Sequence, residues 1–316
     1  MLRHWEHIEE ANAVDYDLFQ KHGRAIIPNW SKLTDSLEPN TAVFVVPEGG
    51  GKRLEGIYDK SAGGIRPLFR SDAPNRDLRL YIDALNNPNI TQIAVDGLMG
   101  TGKTSTAIEY LVENHIPKDV RVPHNFQTMD WKTSAERKMV VREDHYKIMI
   151  AKPAVNAGGE EYGFLPGDID EKISPTLRNY TQYFDRFHNA GFESLNLMGY
   201  VEILPLGFIR GLDAENMTIV VDEAQNTKEL ITVGTREAKN GRIIFIGDTS
   251  PFQIDLESNT PTQNGLADYI DLMAGAEFFQ YIEMKSLEHI VRSPRVREIV
   301  RRLFNKHGSN PREWLT

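Results

Sequence analysis

Residues 90–106 constrain the fold more than any other stretch, because they combine a strand, a glycine-rich loop and the start of a helix. Residues 90–95 are rich in β-branched side chains and predict a short buried strand. Residues 97–104 then match G-x-x-x-x-G-K-[ST], the spacing of a phosphate-binding loop, and a helix is predicted over residues 103–114. Since the three parts occur in the order that the motif requires, a chance glycine-rich turn is the weaker interpretation.

The residue types of this loop suit the binding of an anion. Glycines let the backbone wrap with its N–H groups pointing inward, and the following helix adds the positive end of its dipole. Lys103 is predicted to reach β- and γ-phosphates, and the Thr104 hydroxyl is predicted to ligate Mg²⁺. The predicted nucleotide-binding residues are Gly97, Leu98, Met99, Gly100, Thr101, Gly102, Lys103, Thr104 and Ser105.

The composition excludes several kinds of site. The chain has no cysteine, so disulfides, thiolate metal sites and cysteine nucleophiles are ruled out. Its net charge of −9 argues against a general polyanion-binding surface, although residues 285–316 carry a local excess of basic side chains. No apolar run approaches the ~20 residues that span a bilayer, and the N-terminus resembles neither a signal nor a transit peptide. We therefore expect a cytoplasmic protein without a membrane partner.

The order of strand and helix signals predicts the domain organisation. Residues 1–73 are expected to form an irregular N-terminal extension, with a helix over residues 1–22 and a strand at residues 43–46. Residues 74–316 are expected to form one domain. Within it, residues 117–145 are polar, lack a sustained period and are interpreted as an insertion.

Strand and helix signals alternate along residues 74–316. Further strands are predicted at residues 147–151, 200–204, 217–221, 242–246 and 278–284. Helices are predicted at residues 75–84 and 262–274, with further helix starts at Asp168, Ser174 and Ser293. This alternation predicts an α/β fold with a mostly parallel sheet flanked by helices.

Two helical stripes lead to predictions about burial. Apolar side chains at helical spacing favour core packing over a base-stacking platform, and this applies to Tyr180, Tyr183, Phe184 and Phe187. In the last helix, the predicted inner face comprises Val296, Ile299, Val300 and Leu303. The predicted flanks of that helix carry Arg295, Arg301 and Arg302.

Two acidic residues follow the predicted strand at residues 217–221. A carboxylate at the end of a buried strand beside a phosphate loop can hold Mg²⁺ directly or through water, and Asp222 has that place. Glu223, next to it, is predicted to polarise the attacking water as general base. Two solvated acids at a surface strand end are the weaker interpretation, given the phosphate loop upstream.

Three further side chains are candidates for the same site. Gln253 follows the Gly247-Asp248 strand end, and a neutral amide there can touch the γ-phosphate or the lytic water. Arg210 and Arg292 are candidates for neutralising charge in the transition state, in cis or from a neighbouring subunit. A surface ion pair is the alternative interpretation of each arginine.

Several of these segments together carry a family likeness. They are residues 97–104, Gly-Phe-Leu-Pro-Gly-Asp-Ile-Asp-Glu-Lys at 163–172, residues 201–211, Asp-Glu-Ala-Gln-Asn-Thr at 222–227, residues 247–255 and Val291-Arg292. In this order they resemble the PhoH-like family of ATPases, the phosphate-starvation-inducible type. The stretches at 163–172 and 222–227 are far more specific than the phosphate loop, which many proteins share.

The resemblance implies a RecA-like fold related to the core of superfamily 1 helicases. It also implies ATP binding and hydrolysis with Mg²⁺, a link to single-stranded RNA or DNA, and a ring-forming homo-oligomer, often a hexamer. The chain departs from the family where Leu212-Asp213 follows Arg210-Gly211, which removes a second arginine, and where Ser293 follows Arg292. These departures suggest a divergent member, for example one from a phage.

Two other functions compete with an ATPase that remodels nucleic acid. The net acidity and the altered arginines favour an ATP-controlled assembly or partner-binding module without strand-separating activity. The basic C-terminal stretch favours nucleic acid. A small-molecule kinase is the third possibility, and the glutamate beside the metal-binding aspartate argues against it because that arrangement suits the activation of water.

Overall fold

The computed structural model describes residues 5–11, 37–47, 54–61, 64–69, 71–120, 145–153, 179–209, 211–250 and 264–307. Its N-terminal part contains a four-stranded sheet in the order β1-β2-β3-β4. The strands are β1 (Trp5–Ala11), β2 (Ala42–Pro47), β3 (Leu54–Asp59) and β4 (Gly64–Pro67). Strand β1 pairs in parallel with β2, whereas β2 with β3 and β3 with β4 pair antiparallel.

This sheet corrects part of the sequence prediction. The helix predicted for residues 1–22 is wrong over Trp5–Ala11, which form a strand. The helix prediction rests on the spacing of Leu2, Trp5 and Ile8 by three, which is a weak local signal, and backbone pairing with β2 overrides it. The strand predicted at residues 43–46 is confirmed by β2. Strands β3 and β4 were not predicted, because glycines and charged residues interrupt their period.

The main sheet has six strands in the order β10-β5-β9-β8-β6-β7, and all five pairings that the structure describes in it are parallel. The strands are β5 (Gln92–Gly97), β6 (Lys147–Lys152), β7 (Val201–Pro205), β8 (Met217–Val221), β9 (Arg242–Gly247) and β10 (Phe279–Met284). Near-continuous burial along β5, β8 and β9 is expected of parallel strands covered on both faces. The predicted α/β fold with a mostly parallel sheet is thereby confirmed.

Helices cover both faces of this sheet. They are α1 (Arg76–Asn86), α2 (Lys103–His115), a helical segment at 179–187, α3 (Gly191–Leu197), α4 (Leu230–Gly234), α5 (Gly265–Met273) and α6 (Pro294–His307). Asn75 begins α1 by accepting a hydrogen bond from Leu78 N, and Asn264 begins α5 by accepting from Leu266 N and Ala267 N. The helices predicted at residues 75–84, 103–114 and 262–274 match these elements within the described residues. The helix starts predicted at Asp168 and Ser174 lie outside the described residues.

Burial tests the two predicted stripes. Tyr180 and Phe184 are buried in one core cluster, with Tyr183 and Phe187 packed against it, as predicted. In α6 the buried residues are Val300 and Phe304, which contact Leu98 and Ile290, with Val296 and Leu303 alongside. The predicted burial of Ile299 is wrong, because it is 55% exposed. At 100° per residue Ile299 is turned away from the face that Val300 and Phe304 define.

Partly buried ion pairs join the N-terminal sheet to the main domain. Arg66 of β4 binds Asp83 of α1 through two hydrogen bonds of 2.8 and 2.7 Å, and Arg79 of α1 binds Glu55 of β3 in the same bidentate way. The division of the chain at residue 73 stays a prediction. No helix in the described part of the chain is long and apolar enough to cross a membrane.

Candidate functional site

A cavity of about 780 Å³ lies at the edge of the main sheet where β5, β6, β8 and β9 end. Open α/β sheets bind their ligands outside the carboxyl ends of the strands. The loop after β5 and the first turn of α2 form one side of the cavity, and the helical segment 179–187 forms another. The cavity therefore has the position expected of a ligand site.

The loop between β5 and α2 has the backbone of an anion-binding turn. Gly100 and Gly102 have φ angles of 83° and 91°, a region in which side chains other than glycine are strained. Helix α2 begins directly after them at Lys103, so its first N–H groups point toward the cavity. Val291 N and Arg292 N donate to Gly100 O at 3.0 and 3.2 Å, which fixes the loop from its other side.

Lys103 is the basic side chain nearest the centre of this loop. Its Nζ donates to the carbonyl oxygens of Gly97 and Leu98, at 2.5 and 3.0 Å. These two neutral carbonyl oxygens accept hydrogen bonds from the Lys103 ammonium, which has three N–H donors. A phosphate in the cavity would offer charged acceptors to the same ammonium, and hydrogen bonds between two charged groups are the stronger ones.

Asp222 lines the same cavity, directly after β8. Its carboxylate accepts from Thr104 Oγ1 at 3.2 and 3.3 Å, from Glu223 N at 3.1 Å and from Tyr180 OH at 2.8 Å. The phosphate loop and the acidic strand end are therefore in direct contact. Tyr180 comes from the helical segment 179–187, which was predicted only to pack in the core.

Glu223 follows Asp222 in a strained turn. Its φ of 55° and ψ of 40° lie in the left-handed region, which costs a non-glycine residue of order 1–3 kcal/mol. Gln225 Nε2 donates to Glu223 Oε2 at 2.7 Å, and Gln225 Oε1 accepts from Asp248 N at 3.2 Å. Gln225 is buried, so it links the end of β9 to the Glu223 carboxylate and restrains that carboxylate at the cavity wall.

Asp248 is a buried acid at the end of β9 that also lines the cavity. Burial raises the pKa of its carboxyl, and the charge of Lys103 opposes that rise. Its Oδ1 accepts from Ser250 N at 2.9 Å, while its Oδ2 has no hydrogen-bond partner among the described residues. Asp248 thus presents an unsatisfied acceptor next to the predicted phosphate site.

A charged cluster lies behind Asp248. Lys285, which follows β10, is within 2.6 Å of Asp96 Oδ2 in a nearly solvent-free site. Thr249 bridges the pair, because its hydroxyl donates to Asp96 Oδ2 and accepts from Lys285 Nζ, both at 2.6 Å. These contacts tie the ends of β5, β9 and β10 together immediately below the cavity.

The residues present fit a nucleotide with a divalent cation. Thr104 and Asp222 supply the hydroxyl and carboxylate oxygens that Mg²⁺ prefers. No group of three or more His, Cys, Asp or Glu side chains in the described residues could hold a metal ion by itself. A site with two protein oxygens is consistent with Mg²⁺, which usually keeps several waters and binds together with substrate phosphates.

The structure brings most of the predicted site residues to one cavity. Its lining includes Met99, Gly100, Gly102, Lys103, Thr104, Ser105, Asp222, Glu223 and Arg292. Leu98 and Thr101 are buried behind the loop, where Thr101 Oγ1 donates to Leu98 O, and Gly97 contributes its carbonyl to Lys103. Arg210, Gln253 and the specific stretch at 163–172 lie outside the described residues.

Sequence reasoning missed three residues of the site. Gln225 and Asp248 stand inside motifs that the resemblance had quoted, so their place in the motif was the available signal. Tyr180 had no such signal, because its helical spacing indicated packing alone. Its phenol does pack in the core, and its hydroxyl reaches Asp222.

Comparison with known proteins identifies relatives over most of the chain. The chain is 29% identical over 283 residues to a PhoH-like protein of Mycobacterium tuberculosis, an alignment that covers 87% of this chain and 69% of the relative. A PhoH-like protein of Synechocystis is 31% identical over 236 residues, covering 74% and 62% of the two chains. A PhoH-like protein of Bacillus subtilis is 36% identical over 160 residues, covering 49% and 47%.

The family pattern described as PhoH-like protein matches residues 133–303. This match begins after the phosphate loop and includes Asp222, Glu223 and Arg292. It covers more than half of the 316 residues, so the chain belongs to the PhoH-like family.

Proposed function

We propose that this protein binds and hydrolyses ATP with Mg²⁺, and that hydrolysis is coupled to remodelling of single-stranded RNA or DNA. The observation that carries the first part is the contact of 3.2 Å between Thr104 Oγ1 and Asp222. It joins a phosphate loop to the end of an acid-tipped strand, which is the arrangement that P-loop nucleotide hydrolysis uses.

The proposed roles follow from the geometry of the cavity. The inward N–H groups of the loop and Lys103 would bind the phosphates. Thr104 and Asp222 would hold Mg²⁺, which when bound neutralises charge on the phosphate oxygens. Glu223, held by Gln225, would take a proton from the attacking water.

Three residues have proposed roles at the γ-phosphate. Arg292 lines the cavity, so it could neutralise transition-state charge without a large rearrangement. Two further roles rest on the sequence alone: Arg210 would neutralise transition-state charge, and Gln253 would contact the γ-phosphate or the attacking water. The family resemblance implies a ring-forming homo-oligomer, often a hexamer. In such a ring, a neighbouring subunit would supply one of these arginines.

Coupling to nucleic acid is supported by basic side chains on the outer face of α6. Arg295, Arg301 and Arg302 are exposed there. However, Arg301 and Arg302 both hydrogen-bond Glu298, at 2.8 Å, which reduces the charge that they offer to phosphates. This pairing and the net charge of −9 favour the second candidate, an ATP-controlled oligomeric assembly or partner-binding module without helicase activity.

ATP hydrolysis with and without single-stranded RNA separates the two candidates. Hydrolysis without an added acceptor supports an ATPase and counts against a small-molecule kinase. If RNA is the partner, it raises the hydrolysis rate at low salt, and this effect falls steeply as salt rises because phosphate contacts release counterions. Absence of stimulation by RNA or single-stranded DNA at low salt favours the assembly module, whose signature is a change of mass on adding ATP.

The arginines of α6 provide a matched test within the same assay. Charge reversal by Arg295→Glu adds an unpaired acid to the proposed nucleic-acid face, so RNA stimulation should fall while basal hydrolysis is retained. Lys239→Glu makes the same change at an exposed site away from α6 and should have no effect. Equal stimulation in wild type and Arg295→Glu would remove α6 from the proposed nucleic-acid surface.

A further inference from the structure

We propose that Tyr180 is a positioning residue that orients the Asp222 carboxylate for Mg²⁺ and links the helical segment 179–187 to the metal site. This inference rests on the proposed function. It goes beyond that function because it assigns a role to a side chain outside the phosphate loop and outside the acidic strand end.

The Asp222 carboxylate is held from several directions. On one side Thr104 Oγ1 donates at 3.2 and 3.3 Å, and Glu223 N donates to Oδ1 at 3.1 Å. On the other side Tyr180 OH donates to Oδ2 at 2.8 Å, the shortest of these contacts. Tyr180 OH and Glu223 N thus hold different oxygens of the carboxylate, Oδ2 and Oδ1, and together they restrain its rotation about the Cβ–Cγ bond.

Tyr180 is well suited to hold the carboxylate in one orientation. Its side chain is 4% exposed and belongs to the core cluster that contains Phe184, so the ring cannot swing freely. Its hydroxyl donates to Asp222 Oδ2, because an ionised carboxylate can only accept a hydrogen bond.

The hydrogen bond from Tyr180 to Asp222 should strengthen Mg²⁺ binding. A donor that hydrogen-bonds a ligating carboxylate orients it, and loss of such a partner typically costs 10–100-fold in metal affinity or activity. Without the Tyr180 hydroxyl, Asp222 Oδ2 would keep only the longer contact with Thr104, so the carboxylate would be held less firmly in one orientation. Mg²⁺ would then have to select the productive orientation, which weakens its binding.

The same hydrogen bond connects the metal site to a wall of the cavity. Asn179, Gln182, Tyr183 and Arg186 lie on the segment that carries Tyr180, and all four line the cavity. The hydrogen bond from Tyr180 therefore joins this wall of the cavity to the acidic strand end.

The test compares Tyr180→Phe with a matched control, Tyr81→Phe. Both changes remove only a buried hydroxyl, and at both phenols burial, followed by the charge of Asp222, raises the pKa. Tyr81 OH has no hydrogen-bond partner among the described residues. The affinity for a fluorescent ATP analogue is measured in excess EDTA and over a series of free Mg²⁺ concentrations, so that no hydrolysis is needed.

We expect Tyr180→Phe to need about 10-fold more free Mg²⁺ than wild type for the half-maximal change in nucleotide affinity. Affinity in EDTA should be unchanged, and Tyr81→Phe should behave as wild type. In an Asp222→Asn background, Tyr180→Phe should add little to the Mg²⁺ requirement, because the Tyr180 hydroxyl acts on Mg²⁺ only through the Asp222 carboxylate.

Two results would overturn the inference about Tyr180. One is an unchanged Mg²⁺ requirement in Tyr180→Phe, and the other is an equal loss of affinity with and without Mg²⁺, which would indicate a purely structural role. A wild-type protein whose nucleotide binding ignores Mg²⁺ would instead refute the proposed function itself, together with the inference built on it.

Discussion

Replacing Glu223 with glutamine removes the proposed general base while preserving the contacts that hold it in place. Gln225 Nε2 donates to Glu223 Oε2 at 2.7 Å, and a carboxamide oxygen can accept the same hydrogen bond. The left-handed backbone at this position, with φ of 55°, is equally costly for glutamine and for glutamate. We therefore expect Glu223→Gln to fold and to bind Mg·ATP as the wild type does.

Turnover should respond very differently from binding. A carboxamide cannot accept a proton from water, and general-base catalysis contributes about 10²–10⁴-fold to rate. We expect the turnover number of Glu223→Gln to fall by at least about 10²-fold, equivalent to about 2.7 kcal/mol of barrier. Glu202→Gln, the same change at an exposed acid of β7, is the matched control and should leave turnover unchanged.

Steady-state hydrolysis at saturating Mg·ATP measures the turnover number, and binding of a fluorescent ATP analogue measures affinity separately. Wild-type turnover in Glu223→Gln would refute the assignment of the base. If binding is lost together with turnover, Glu223 maintains the structure of the site. That result would also contradict its assignment as the general base.

Three further changes test other parts of the structure. Lys103→Ala should abolish nucleotide binding, measured with the same fluorescent analogue, because the loop loses its charge for the phosphates. Lys285→Met should lower the free energy of unfolding in urea by about 3–5 kcal/mol, because it leaves Asp96 charged and buried without its cation. His115 has its pKa lowered to about 4 by burial and by the charge of Arg242, so the unfolded chain, in which the pKa is near the usual 6.5, takes up a proton first. Stability should therefore decline as pH falls from 6.5 toward 4, and His115→Phe should flatten that part of the profile.

Each of these predictions has an outcome that contradicts it. Retention of nucleotide affinity in Lys103→Ala would show that phosphates do not bind in this loop. Lys285→Met is compared with Lys239→Met, an exposed lysine, and equal stability of the two variants would refute the structural role of the buried pair. An unchanged decline of stability at acid pH in His115→Phe would show that other groups cause it.

The main domain could be predicted because its signals are local and agree with one another. The strand of residues 217–221 was predicted with the bounds of β8, and the phosphate-loop helix was predicted to within one residue of α2. Buried parallel strands are continuous apolar runs, and the glycines, Asn75 and Asn264 mark the turns and helix starts between them.

The N-terminal sheet shows where local signals fail. Strand β1 owes its conformation to parallel pairing with β2, whose residues lie more than 30 positions away along the chain. Strands β3 and β4 are interrupted by glycine and charge, and Arg66 and Arg79 form ion pairs with Asp83 and Glu55 that no periodicity reveals. Pairing between distant segments therefore decided this part of the fold.

The candidate site likewise contains residues that local sequence signals predicted and one, Tyr180, whose role they did not predict. Motif spacing identified Thr104, Asp222 and Glu223 because each chemical role requires a particular residue type at a particular strand end. Tyr180 was assigned only to the core, since a helical stripe predicts which face is buried and does not predict what the hydroxyl will contact. Ile299 was misplaced for a related reason, because an apolar residue at the margin of a stripe can face either way.

The central claim is that the loop of residues 97–104 and the Asp222 strand end together bind Mg·ATP. Calorimetric titration with Mg·ATP tests this claim most directly. Wild-type protein should release or take up heat that saturates at one nucleotide per chain, whereas Lys103→Ala should give only the heat of dilution. Absence of a binding heat in the wild type, or the same heat in both proteins, would contradict the claim.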